Sequence, residues 1–197
     1  RRQRQMCIRD SPDPSICRVE NDYYMVTSSF EWFPGLPIFH SKDLVNWEQI
    51  GHVLDRPSQL QMKDGLKASN GLWAPTIRYH QGTYYVICTA TGCGGNFFVT
   101  ADSPEGPYSE PIFIKDAPGI DPSLFFDEDG TMWYCGSING DNKIPPRRYP
   151  AEDRIYVQQL DPSTGQFIGE RHIVSSGYAI NSPYAEAPHI YKIKGKY

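Results

Sequence analysis

The chain has 197 residues with 19 Lys and Arg against 23 Asp and Glu, a formal charge of -4, and 17 each of Gly and Pro. That balance offers no basic stripe for nucleic acid, and no apolar run approaches the roughly 18 residues a membrane span needs. Plentiful Tyr, Phe and Trp with few apolar runs of period 3.6 exclude a helical protein and predict an all-β domain.

In chain order, residues 1–11 stand apart. Arg1-Arg2-Gln3-Arg4-Gln5 is basic and featureless, and Met6-Cys7-Ile8-Arg9-Asp10-Ser11 resembles one reading frame of a transposon-derived sequencing adapter. The segment is set aside as non-native, leaving 12–197 as one β domain. On that reading the natural N-terminus is missing.

From residue 12 onward a short proline frame recurs: Asp13-Pro14-Ser15-Ile16, Ala74-Pro75-Thr76-Ile77, Asp121-Pro122-Ser123-Leu124 and Ala187-Pro188-His189-Ile190. An aromatic follows each frame (Tyr23, Tyr84, Trp133, Tyr197) after a turn pair: Asn21-Asp22, Gln81-Gly82, Asp129-Gly130 or Lys194-Gly195. Each unit therefore begins as strand, tight hairpin, strand. A second strand-turn-strand follows in three units, with aspartate in the turn: Ser41-Lys42-Asp43 before Trp47, Ala101-Asp102-Ser103 before Tyr108, and Leu160-Asp161-Pro162 before Phe167. Four strands per unit, repeated about every 45 to 65 residues, predict the blades of a β-propeller. Single helical turns are expected at most near Asn46-Trp47 or Ala151 to Arg154. The innermost strand of each blade lines the central axis, so the Asp13, Asp121 and Glu186 segments should converge at one end of it.

Acids in these frames have a plain structural use, since aspartate before proline is a common turn residue. Two of the four copies, however, carry Ala at the same position, so the frame itself does not require Asp. Phe30, Trp32 and Trp73 fall in segments that reach the same end, where flat rings suit the C–H face of a sugar. Each could equally pack a propeller core. Asp127-Glu128-Asp129-Gly130 resembles a calcium loop but falls where a hairpin turn is due. Gly92-Cys93-Gly94-Gly95-Asn96 lacks the following Lys of a phosphate loop. The basic loop Pro145-Pro146-Arg147-Arg148, within 139–154, reads as a solvated hairpin, and His189 reads as structural. Five cysteines without C-x-x-C pairs or metal-spaced histidines favour buried thiols and a cytoplasmic over a secreted location, although a Cys88–Cys93 disulfide stays open.

Several ordered motifs together resemble glycoside hydrolase family 43. They are Pro12 to Arg18, Asp22-Tyr23-Tyr24, Ser29 to Gly35, His40 to Trp47, Leu72-Trp73-Ala74-Pro75, Gly119 to Phe125 and Glu186-Ala187-Pro188-His189. The resemblance implies a five-bladed propeller, of which about three blades and the start of a fourth are present. It implies inverting hydrolysis of β-xylosides or α-L-arabinofuranosides of hemicellulose, with the two substrates left open. By residue-level match, Asp13 is the general base, Glu186 the general acid and Asp121 the group that raises and orients the acid. Trp73, Phe30 and Trp32 are the expected sugar platforms.

An inverting site needs its two carboxyl groups on opposite sides of the sugar, which explains acids carried by separate blades. The expected partner is a xylo-oligosaccharide or arabinose-substituted saccharide, not nucleic acid or membrane. No cofactor is required; a structural calcium is possible by analogy, without a visible ligand set. The axial arginine and histidine that the family draws from later blades have no counterpart here, and the piece by itself is expected to be inactive. A non-catalytic carbohydrate-binding propeller and a protein-interaction propeller are the alternatives.

Overall fold

A computed structural model describes residues 11–61, 65–139, 149, 152–176 and 183–197. The segment 1–10 and the basic run Pro145-Pro146-Arg147-Arg148 lie outside the described residues.

Three four-stranded antiparallel sheets make up the described fold. The first holds β1 (Ser15–Val19), β2 (Asp22–Val26), β3 (Gly35–Ser41) and β4 (Glu48–Leu54). The second holds β5 (Gly71–His80), β6 (Thr83–Thr91), β7 (Gly95–Ala101) and β8 (Ile112–Phe113). The third holds β9 (Ile120–Phe126), β10 (Met132–Asn139), β11 (Asp153–Leu160) and β12 (Phe167–Ser175). Spatial order equals chain order in each sheet. β5 packs against both β1 and β9, so the first strands share an axis and the sheets are blades of a β-propeller.

Period-2 alternation builds the core between blades. In β6, Val86 and Cys88 belong to the cluster shared with the first blade, whereas Ile87 belongs to the cluster shared with the third. In β7, Phe97 and Val99 face the first blade and Phe98 the third. Both faces of the middle blade are thus covered, which is why its strands read as nearly continuous apolar runs. Each fully buried Phe contributes roughly 1.5–3 kcal/mol of transfer free energy.

Turn chemistry fixes the hairpins. Gln81 and Gly82 both have positive φ (48° and 88°), the two-residue geometry that matches strand twist. The first hairpin differs from expectation by one residue: Val19 pairs with Asp22, so Glu20-Asn21 is the turn and Asp22 already belongs to β2. Asp127 to Thr131 is a hairpin turn, closed by the Thr131 carbonyl accepting from Asp127 N–H at 2.9 Å. Outer turns use aspartate as a backbone acceptor: Asp43 takes the Val45 and Asn46 N–H groups, and Asp161 takes that of Ser163.

No helix forms among the described residues. Asn46-Trp47 sits in a bend, and Asp153 and Arg154 open β11 instead of a helical turn. Cys88 and Cys93 are free buried thiols, as are Cys17 and Cys135. Residues 183–197 begin a further unit, in which Ile193 and Lys196 pair around Lys194-Gly195.

Candidate active site

The first residue of all four proline frames is left-handed: φ is 55° at Asp13, 36° at Ala74, 55° at Asp121 and 51° at Ala187. Asp tolerates this conformation better than most side chains, and the following Pro has no N–H to leave unpaired. In β5 and β9 the frame is a β-bulge, with register shifts between Trp73 and Thr76 and opposite Cys135–Ser137. A bulge re-aims one side chain out of the alternation. Here it turns the frame's first residue toward the axis.

The outcome is a cavity of about 450 Å³ lined by Asp13, Phe30, Trp73, Asp121, Glu186 and His189, with Pro14, Ala74, Pro75 and Tyr184 among the remaining walls. Three acids from separate units therefore meet at one end of the axis. Trp32 does not join them: it is 72% exposed and absent from the lining. Its backbone follows a tight turn in which Trp32 N–H donates to the Ser29 carbonyl at 2.9 Å. Phe30 and Trp73 come together because Phe30 and Leu72 exchange backbone hydrogen bonds of 3.0 and 2.9 Å, tying the loop of the first blade to the second. Trp73 is held further by its indole N–H donating to the Ser69 carbonyl at 2.6 Å.

Cross-blade hydroxyls position the acids. Ser28 Oγ donates to Asp13 Oδ2 at 2.6 Å and accepts from Ala74 N–H at 2.8 Å, linking the first two frames through one buried atom. Glu186 lies outside any strand, yet its segment is pinned on both sides. Ser137 Oγ donates to the Ala185 carbonyl at 2.7 Å, Ala187 N–H donates to Asp121 Oδ2 at 3.0 Å, and Ser123 Oγ donates to the Pro188 carbonyl at 2.6 Å.

Electrostatics separates the acids. Burial, then the charges of Asp121 and Asp153, push the Glu186 carboxyl above its ordinary value. Burial raises Asp121 most, and Asp13 adds to this against the opposing Ala187 hydrogen bond. A carboxyl kept protonated beside other carboxylates can deliver a proton near neutral pH. His189, read from sequence as structural, lines the cavity, and its Nδ1 lies 2.7 Å from Arg78 Nη2. Ser28, Tyr184 and Arg78 carried no motif signal. Only the recurrence of Ser, Thr or His at the third frame position could have singled out His189. Among the described residues no group of three or more His, Cys, Asp or Glu is placed to hold a metal.

Comparison with known proteins bears on the family and the fold. The family model for glycosyl hydrolases family 43 matches residues 6–197, a match that begins inside the adapter-like segment. The chain is 47% identical over 188 residues to a xylosidase/arabinosidase of Butyrivibrio fibrisolvens, covering 94% of this chain and 35% of that protein. It is 44% identical to a non-reducing-end α-L-arabinofuranosidase of Bacteroides ovatus, covering 95% of this chain and 33% of that one. Among solved structures, a xylan β-1,4-xylosidase from Bacillus halodurans superposes with a TM-score of 0.82 at 39% identity, covering 94% of this chain and 35% of that one. The chain thus spans about a third of the length of these relatives.

Proposed function

Because the chain belongs to glycosyl hydrolase family 43, we propose that the whole protein removes terminal β-xylosyl or α-L-arabinofuranosyl residues from hemicellulose saccharides by inverting hydrolysis. The observation that carries this reading is the convergence of Asp13, Asp121 and Glu186 in one cavity beside Trp73 and Phe30. Binding alone has little need of three acids held against their mutual repulsion, which disfavours a purely sugar-binding or protein-binding propeller.

In this mechanism Asp13, ionised, accepts a proton from a water molecule on one face of the pentose. That water forms the new C1–O bond as the glycosidic C1–O bond breaks, and Glu186 gives its proton to the departing oxygen. Asp121 keeps Glu186 protonated through its charge and holds the 186–187 backbone through the Ala187 N–H. Trp73 and Phe30 stack on the C–H face of the sugar, and no cofactor takes part.

Leaving-group dependence separates the two carboxyl roles. An aryl leaving group needs little protonation, whereas a sugar alcohol needs it fully. Full-length Glu186→Gln should therefore lose about 10²–10⁴-fold in kcat on xylobiose but far less on nitrophenyl β-xyloside. Asp13→Asn should lose comparably on both. A folded full-length protein that binds xylo-oligosaccharides yet releases no pentose would overturn the reading in favour of a binding propeller.

A further inference from the structure

The third position of the proline frame is a cross-blade stitch. Ser15 Oγ accepts from Ile77 N–H at 3.1 Å, and Ser123 Oγ donates to the Pro188 carbonyl at 2.6 Å. In the last copy this position is His189, whose longer side chain reaches Arg78 of the second blade, 111 residues away in sequence. Arg78 is half-buried, donates its Nη1–H to the Ile77 carbonyl at 2.9 Å, and has no carboxylate within ion-pair distance among the described residues. Cys17 and Tyr191 lie near it.

A guanidinium has only donors. The 2.7 Å contact therefore makes His189 Nδ1 the acceptor, and a neutral imidazole must carry its hydrogen on Nε2. A proton on Nδ1 would break this bond and set two cations face to face. Burial and the Arg78 charge both hold the imidazole below its ordinary pKa. Other charged or titratable groups around the ring are Asp13, Asp121, Glu186 and Tyr184 of the same cavity and Tyr191, whose ring centre lies 6.3 Å away. None of them takes Nε2, which has no hydrogen-bond partner among the described residues. A single-tautomer donor is thereby left in the wall of a cavity that otherwise offers carboxyl groups and apolar rings.

We propose that Arg78 is a positioning residue that locks His189 as the neutral Nε2–H tautomer, and that this N–H binds a hydroxyl of the sugar held between Asp13 and Glu186. The sugar-facing half of this role rests on the pentosidase reading; the tautomer half does not.

Imidazole ¹⁵N spectra of the full-length protein test both halves. In the wild type, His189 should keep Nδ1 bare and Nε2 protonated at pH 7 and above, and should charge at a lower pH than an ordinary imidazole. In Arg78→Met its pKa should rise toward the ordinary value of about 6.5 without reaching it, because burial remains. Adding D-xylose should move the Nε2 signal and leave Nδ1 in place. His189→Asn keeps an oxygen near the Nδ1 position but loses the distal donor, so KM should rise about 3- to 10-fold with kcat nearly unchanged.

A wild-type ring protonated on Nδ1 at pH 7, or an Arg78→Met titration like that of the wild type, overturns the lock. Should Arg78→Met fail to fold, the wild-type spectrum alone decides that half. Xylose binding, seen by tryptophan fluorescence, without movement of Nε2 overturns the donor role. Absence of any pentose binding or cleavage overturns the pentosidase reading and the donor role with it, while the tautomer is judged separately by its spectrum.

Discussion

Asp121 and Glu186 show how environment divides labour between like side chains. Burial raises both, and the charge of Asp121 raises Glu186 further. As the proposed general acid, Glu186 must be protonated to act, so activity should fall as pH rises through its pKa. Asp121→Asn removes a negative charge, lowers that pKa, and should shift the alkaline limb of the kcat/KM profile of the full-length enzyme toward acid pH. An alkaline limb that stays in place would deny Asp121 its modulating role. Ser28 is a second case at this scale, because one buried hydroxyl both donates to Asp13 and accepts from Ala74 N–H. Ser28→Ala strands a backbone donor and should destabilise the fold by about 1–3 kcal/mol in urea unfolding. It should also lower kcat, because Asp13 loses the bond that aims it.

At the scale of elements, the left-handed bulge is the device that brings the first residue of a repeated frame into the cavity wall. The frame's φ values lie between 36° and 55° whether the residue is Asp or Ala, so the backbone comes first and the acid is placed upon it. The strand leading into Asp121 depends on a glycine. At Gly119, with φ of 84°, an added Cβ would sit 1.7 Å from the Ser137 carbonyl oxygen. Backbone cannot yield that distance, and Gly119→Ala should cost about 3 kcal/mol or more and disturb Asp121 together with the Ser137–Ala185 bond. Thermal unfolding and activity of the full-length variant check this; an unchanged melting temperature would mean the third blade packs differently.

Across the whole molecule, the blades stabilise one another through shared apolar faces, and among the described residues the third blade has one face left open. A cleft of about 870 Å³ lies there, lined by Phe125, Trp133, Val157, Val174, Tyr191 and Tyr197 among others. Val174, Tyr191 and Tyr197 are 58%, 63% and 72% exposed. Apolar patches of this kind bind dyes and other copies. Expressed alone, the 197-residue chain should bind anilinonaphthalene sulfonate strongly and associate with rising concentration, and the full-length protein should do neither. Analytical ultracentrifugation with dye fluorescence decides between them.

The sequence by itself determined the blades, because strand alternation and turn chemistry are local properties. It also marked Asp13 and Asp121 for one end of the axis, because a repeated frame places equivalent residues at equivalent heights, and Glu186 beside them, one residue ahead of the fourth frame. Hairpin ends were legible to within one residue, as the Glu20-Asn21 turn illustrates. Only the tertiary structure decided which aromatics reach the cavity. Phe30 and Trp73 are joined by backbone bonds between blades, and Trp32, two residues from Phe30, is turned out to solvent. It alone supplied Ser28 against Ala74 and Arg78 against His189, pairs separated by 46 and 111 residues. Contacts at such separations depend on how blades are rotated about their common axis, and that rotation is set by the summed packing of many side chains rather than by any local pattern.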